Sequence, residues 1–380
     1  MIKFRDLQAQ YQHLKMEIDE AVAHVMTSGG FILGKEVLEL EKRLAEYVGV
    51  KHCVTCANGT DALQLAAMTL NLGKDDIVFV PDFTFFSSGE IVSLVGALPV
   101  FVDVDKRTFN ISPVALEKAV EAVTIEGKYK PRAVIAVDLF GLPSPYPELR
   151  KLCDKYDLAL IEDSAQGFGG RIGNKVAGSF GDIATTSFFP AKPLGCYGDG
   201  GALFTDNDEW ADILKSLRVH GKGNNKYDNV RIGMNSRLDS IQAAILSVKL
   251  NAFEDYELDA VNQVAKRYNE MLADIGGLIL PAIPEGYYSS YAQYTIILNN
   301  RGKRDGLQEH LKSKNIPSMV YYPKPMHSQQ AFAPYNFDTN CLDVTKNLSE
   351  TVLSLPMHPY LKDEQVAEVC EAVRDYMTTQ

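Results

Sequence analysis

The chain has 380 residues, 46% hydrophobic and 23% charged, enough apolar material for a sizeable core and too much for a disordered chain. Its 38 Lys and Arg against 49 Asp and Glu give a formal net charge of −11 with no long basic run interleaved with aromatics, which excludes nucleic acid as an expected partner. The most apolar stretch, residues 91–102, holds Ser93, Gly96 and Pro99 and is too short for a membrane span, and the charged N-terminus MIKFRDLQAQYQ does not read as a signal peptide, so a cytoplasmic protein with no membrane partner is expected.

From about residue 50 to 205, short apolar runs alternate with amphipathic stretches. Strands are expected at 53–56, 77–80, 99–102, 133–137, 159–161 and 183–187, and helices at 60–70, 113–123 and 146–156. This alternation predicts an α/β fold with a mostly parallel sheet sandwiched by helices, whose site lies beyond the carboxyl ends of the strands. A long helical stretch at 236–274 follows, with Leu238, Ile241, Ala244, Ile245, Val248 and Leu250 at helical spacing. Beyond Pro281 the order is strand 294–298, helix 303–314, strand 318–321 and helix 362–376, which reads as a small C-terminal α+β domain. The expected division is a large domain at 1–246, then a linking helix and small domain at 247–380.

The six cysteines (Cys53, Cys56, Cys153, Cys196, Cys341 and Cys370) are dispersed, and reduced thiols are expected. Cys53-Val-Thr-Cys56 has the spacing of a redox pair or half a zinc site. No second CxxC or HxxxH accompanies it, its flanks read as a strand, and no metal site is expected.

Three segments carry chemistry. Ala57-Asn58-Gly59-Thr60-Asp61-Ala62-Leu63 lies between a strand and a helix, where orphan N–H groups and a close-approaching glycine suit a phosphate; alone, Asn58 or Thr60 reads equally as a helix cap. Leu160-Ile161-Glu162-Asp163-Ser164-Ala165-Gln166 ends a strand in a carboxylate able to hold a protonated ring nitrogen, with Gln166 a donor for a phenolic oxygen; Asp163 reads as easily as a turn cap. In Ser187-Phe188-Phe189-Pro190-Ala191-Lys192-Pro193-Leu194-Gly195, a lysine sits in a loop too rich in Gly and Pro for a helix face, where a lowered pKa would let it form a Schiff base. Together these are the parts of a pyridoxal phosphate (PLP) site, and Phe85 or Phe86 offers a face for the ring or else packs in the core.

With these blocks the sequence resembles the fold-type I PLP-dependent transferases, and among them the DegT/StrS-type nucleotide-sugar aminotransferases. The likeness runs over ILG at 32–34, ANGTDAL at 57–63, IEDSAQ at 161–166, SFFPAKPLGCYGDGGA at 187–202, MNSRLD at 234–239 and LPMHPYL at 355–361. The resemblance implies that Lys192 links covalently to the cofactor and Asp163 pairs with its pyridine nitrogen. It further implies that Gln166 contacts the ring oxygen, Phe85 stacks on the ring, and Gly59, Thr60 and Ser187 hold the phosphate. Asn235 would reach the phosphate of a partner subunit's cofactor, so a homodimer with shared sites is implied. Arg231 is assigned to a sugar carboxylate, with a phosphate contact or a surface ion pair as the alternative. Substrate contacts are expected around Phe31, Tyr321, Tyr322, His327 and His358.

The blocks KPLGCYGDGGA, RIGMNSRLD and LPMHPYL look most like bacterial enzymes that aminate C3 of a UDP-linked 2-acetamido-3-keto-glucuronic acid for O-antigen and lipopolysaccharide synthesis. L-Glutamate would be the donor and 2-oxoglutarate the co-product. His327 in YYPKPMH looks instead like 4-aminotransferase relatives, which keeps other UDP- and dTDP-linked keto sugars as alternatives. Two further readings are a nicotinamide-dependent oxidoreductase, suggested by Gly167-Phe168-Gly169-Gly170-Arg171-Ile172-Gly173, and a non-catalytic PLP-binding regulator.

Overall fold

In the computed structural model, which describes residues 1–225, 227–335 and 341–379, all six expected strands of the first half join one seven-stranded sheet. They are β1 (His52–Cys56), β2 (Asp76–Pro81), β3 (Leu98–Val102), β4 (Lys130–Val137), β5 (Ala159–Asp163) and β6 (Ile183–Ser187), with β7 (Gly201–Thr205) added, in the order β1-β7-β6-β5-β4-β2-β3. Every neighbouring pair is parallel except those flanking β7, which runs antiparallel to both β1 and β6. Six strands therefore point the same way and end at one edge.

Both faces of the sheet are covered because successive side chains point to opposite sides. Ile77, Phe79, Val134, Ala136 and Leu160 share one core with the helices Pro113–Glu126 and Tyr146–Tyr156. Val78, Val80, Ala133, Ile135 and Ile161 share another with the helix Gly59–Thr69. Strands buried on both faces contain few polar residues, which is why they read as apolar runs.

A second, three-stranded antiparallel sheet is formed by Leu278–Ile279, Tyr294–Leu298 and Val352–Leu355. It packs with the helices Leu258–Leu272, Arg301–Ser313 and Asp363–Thr379 around Tyr268, Tyr294, Leu307 and Val369. Ile2 at the N-terminus joins this same core. The packing changes core between Leu258 and Val261. A two-domain division at 246/247 is a proposal whose boundary lies inside the helix Ser240–Ala252.

Two expected elements differ. Residues 318–321 form no strand: Pro317 and Pro323 bracket the segment, and a single bridge, Met319 to Ser354, is all that pairs. The 236–274 stretch is not one helix. It starts at Ser240, after Asn235 and Asp239 pair with Val219 and Ile32, and a π turn at Phe253–Glu257 separates it from Leu258–Leu272. Such a turn absorbs an extra residue and re-aims side chains, and here Glu257 is buried, accepting from Gln10 Nε2 at 2.8 Å and the Tyr360 hydroxyl at 2.7 Å.

Among the described residues, no helix is long and apolar enough to cross a membrane. Cys53 and Cys56 lie buried in β1, and burial pushes both thiols above the ordinary cysteine range. The reactive form of cysteine is the thiolate, so a colorimetric disulfide reagent is expected to label Cys341, the exposed thiol, within minutes and the buried five only on unfolding. Rapid labelling of Cys53 or Cys56 in the native protein, read by peptide mass spectrometry, would restore the redox-pair reading.

Candidate active site

The carboxyl edge of the sheet gathers the segments singled out above. Asn58, Gly59 and Thr60 follow β1, Asp82 and Phe85 follow β2, Asp163 ends β5 with Gln166 just beyond, and Ser187 ends β6 ahead of Lys192.

The helix after β1 begins at Gly59 with Asn58 as its cap, the Asn58 side chain accepting from Asp61 N at 2.8 Å. The cap takes the Asp61 N–H, while Gly59 and Thr60, as the first helical residues, have no intrahelical acceptor for theirs, so capping leaves these two N–H groups available to an anion. A Cβ on Gly59 would fall 2.6 Å from Ser187 Cβ, so only glycine lets this helix start lie against the end of β6. That close approach places the free N–H groups beside the Ser187 hydroxyl.

Asp163 is 5% exposed. Its Oδ1 accepts from Ala165 N and its Oδ2 from the Ser88 hydroxyl, both at 3.1 Å, so it also caps the turn, as the alternative reading had it. Burial pushes its carboxyl above the usual range, and the Lys192 ammonium pulls it back. Lys192 responds in the opposite sense: desolvation lowers it, Asp163 raises it, and Arg5 lowers it further. Each charge acts on the other, Asp163 from a buried position and Lys192 from a partly buried one, the kind of setting that tunes functional groups.

Gln166 is fixed on both sides. Its Oε1 accepts from Phe140 N at 2.9 Å and its Nε2 donates to the Tyr322 hydroxyl at 3.0 Å, leaving one N–H for a further acceptor. Tyr322 in turn lies 6.3 Å from the Phe85 ring, whose 53% exposure leaves a face open. His327 is held by the fully buried Asp82, which accepts from its backbone N at 2.8 Å and meets its Nδ1 at 2.6 Å. Tyr321 is partly buried, its ring 6.2 Å from Phe4.

Other expected site residues lie apart. Phe31, 43% exposed, accepts from Ser240 N through its carbonyl. Arg231 lines an open hollow of ≈ 830 Å³ between residues 219–222 and 229–233, and Asn235 is exposed and accepts from Arg237. None of these three meets the Lys192 group through a hydrogen bond within this chain. His358 is 3% exposed beside Arg5 and Asp6, and burial pushes its imidazole down to about 4, so the ring is neutral. Sequence reasoning missed Asp82, Ser88 and Arg5. Asp82 had a signal, since it follows β2 as Asp163 ends β5.

The glycine motif at 167–173 opens no helix. It makes a turn into the hairpin Arg171–Ile172 and Lys175–Val176, and a Cβ on Gly167 would fall 2.2 Å from Asp138 Cβ, so packing explains the glycine. The dinucleotide reading is overturned.

A ligand with a phosphate at one end, a basic ring nitrogen and an electrophilic carbonyl carbon matches these groups, and pyridoxal phosphate is built that way. Fold and site together define a PLP-dependent transferase of fold-type I. The chain belongs to the DegT/DnrJ/EryC1/StrS aminotransferase family, whose sequence pattern matches residues 12–374, and members of this family use PLP. It is 42% identical over 373 residues, 98% of this chain and 99% of the relative, to the UDP-2-acetamido-2-deoxy-3-oxo-D-glucuronate aminotransferase of Pseudomonas aeruginosa. It is 41% identical over 369 residues, 97% and 96% of the two chains, to a UDP-N-acetyl-3-dehydro-α-D-glucosamine 3-aminotransferase of Acidithiobacillus ferrooxidans. A solved aminotransferase of the family from Brucella abortus superposes with a TM-score of 0.96 at 47% identity, over 99% of this chain and 100% of that one.

Proposed function

We propose that the enzyme moves an amino group from L-glutamate to C3 of a UDP-linked 2-acetamido-3-keto-glucuronic acid, supplying an amino sugar for O-antigen or another surface polysaccharide in the cytoplasm. The observation that carries the transfer chemistry is the gathering at one sheet edge of Lys192, the buried Asp163 and the close approach of Gly59 to Ser187. The acceptor is supported by end-to-end similarity to a relative named for that substrate.

When bound, PLP supplies an electron sink for the carbanion formed at the donor's α carbon. The N–H groups of Gly59 and Thr60 and the hydroxyls of Thr60 and Ser187 bind its phosphate, and the remaining Gln166 N–H donates to its ring oxygen. Asp163 holds a proton at the ring nitrogen. Phe85 covers the ring. Lys192 would hold the cofactor through Nζ and, with that amine free, would take the proton from the donor's Cα and return it in the second half-reaction, where the keto sugar is the acceptor.

The active form is a homodimer with shared sites. The exposure of Arg231 and Asn235 on a surface segment supports this, since a second copy can present them to the neighbouring Lys192. Asn235 then reaches the phosphate, and Arg231 takes the sugar carboxylate through its bidentate fork.

The test is transfer of label from ¹⁵N-glutamate to UDP-linked 3-keto and 4-keto sugars, with and without a C6 carboxylate, read by mass spectrometry. Preferred labelling of the 3-keto-uronate supports the reading, and preferred labelling of a 4-keto-deoxy sugar replaces it with the alternative. His327 gives a narrower prediction. Asp82 accepts from Nδ1–H, which leaves Nε2 to face a ligand, whereas Asp82→Asn can donate to Nδ1 and so exchange the roles of the two ring nitrogens. Asp82→Asn is expected to raise KM for the keto sugar about tenfold, the cost of one hydrogen bond, with a smaller effect on the glutamate half-reaction.

A further inference from the structure

Resting on the role given to Lys192 above, we propose that Arg5 is a positioning residue for that lysine, a guanidinium strap that grips its main-chain carbonyl and holds a second cation within electrostatic reach of its amine. Arg5 Nη2 donates to the Lys192 carbonyl at 2.6 Å across a separation of 187 residues. The loop carrying Lys192 is otherwise pinned on its amide side, by Lys192 N to the Phe189 carbonyl and Cys196 N to the Phe188 carbonyl, both at 2.8 Å. Among the described residues no backbone N–H takes the Lys192 carbonyl, so Arg5 supplies what a helix or strand would otherwise provide.

The strap is anchored on both sides of Arg5. Ile2 is buried in the small-sheet core, the Phe4 carbonyl accepts from Met357 N at 3.2 Å, and Asp6 caps the next helix through Ala9 N at 2.9 Å while pairing with Lys3 at 3.0 Å. Arg5 is thus held against the lysine loop by segments at both ends of the chain.

The charges around the strap are specific. Glu257, delivered by the π turn, attracts Arg5, and burial brings the guanidinium down to about 10 despite that attraction. Lys249, 1% exposed and pushed down to about 8 by burial, faces the same carboxylate and repels Arg5. His358, beside Arg5 and Asp6, is neutral at physiological pH. For Lys192 the charged neighbours act in opposite senses, Asp163 favouring the ammonium and Arg5 opposing it. The Arg5 charge acts in the same direction as desolvation and favours the neutral, nucleophilic amine. A planar guanidinium can bridge to a carbonyl while facing a carboxylate, which a point-charge ammonium does less well.

The experiment uses cofactor-free full-length protein, so its readout does not depend on turnover. The pH dependence of acetylation at Lys192 by acetic anhydride is followed by peptide mass spectrometry in wild type, Arg5→Met, Arg5→Gln and Arg5→Lys, with melting temperatures measured in parallel. Arg5→Met and Arg5→Gln are expected to move the Lys192 titration upward by about half to one pH unit. Labelling at neutral pH should then slow by roughly three- to tenfold. Arg5→Lys should return the titration toward wild type. Attachment of PLP to Lys192, trapped with borohydride, should slow in the same order. If Arg5→Met proves unstable, Arg5→Gln, which keeps an N–H donor without the charge, gives the same answer. A folded neutral variant whose Lys192 labels as in wild type overturns the proposal. Failure of wild type to bind PLP, with the labelling shift intact, would instead count against the aminotransferase assignment and leave the strap standing.

Discussion

Lys192→Ala is expected to lower turnover by at least about 10⁴-fold, since it removes the covalent anchor and the proton carrier in one change and general acid–base catalysis alone supplies up to about that factor. The loss will not come from unfolding. The folded-state pKa of Lys192 lies below the usual lysine value, so holding the ammonium costs stability at neutral pH, a cost that disappears only as pH rises through the folded pKa. Removing the group relieves it. The melting temperature of cofactor-free Lys192→Ala at pH 7 should therefore approach that of wild type, with the lost side-chain stem and the lost counter-charge of the buried Asp163 against it. The same protein should show no borohydride-stable adduct after incubation with PLP. Turnover within tenfold of wild type would sink the assignment of Lys192.

The second large effect concerns Asp163→Asn. Asn cannot hold a proton at a ring nitrogen as a carboxylate does, and a charge-assisted hydrogen bond is worth about 1.5–3 kcal/mol, so kcat should fall about 10²-fold or more. Stability should move the other way. Burial raises the Asp163 carboxyl above its unfolded value, so ionised Asp163 destabilises the cofactor-free fold above the unfolded pKa, and that penalty vanishes as pH falls and the group protonates. At pH 7 the uncharged amide avoids the penalty while keeping an acceptor for one of the two donors at Ala165 and Ser88. Cofactor-free Asp163→Asn is thus expected to melt no lower than wild type, and the gap between the two should close in mild acid. A variant that keeps both full activity and the wild-type melting profile would show that this carboxylate does not face the ring nitrogen.

What could be read from the sequence follows from how local each signal is. Asp163, Lys192 and Gly59 each stand within a few residues of a strand's end, so recognising the strands located them on one edge. The helix Lys35–Val48, with Val37, Leu40, Leu44 and Val48 buried at helical spacing, was equally legible and went unread. Other features had no local signature. Asp82 meets His327 across 245 residues and Arg5 meets Lys192 across 187, and neither contact leaves a periodicity in the chain. The π turn at 253–257 is one inserted residue in an otherwise continuous helical pattern, which a hydrophobic period does not resolve. The setting of His358 had no local signal either, since its burial against Arg5 depends on segments far apart in the sequence meeting.

The placement of β7 bears on the order of assembly. β7 is wedged between β6, its neighbour along the chain, and β1, about 150 residues earlier, with Cys56 opposite Gly201 and His52 opposite Thr205. The β6–β7 contact is short-range, but the β1–β7 contact closes a very long loop, the slow kind of event in folding. The anion seat follows β1 and the lysine loop precedes β7, so the two halves of the site meet only when that wedge is driven home. Cofactor capture is thereby a late checkpoint: chains lacking the final strand insertion present half a site each, and uptake of PLP in a refolding experiment should trail sheet formation rather than lead it.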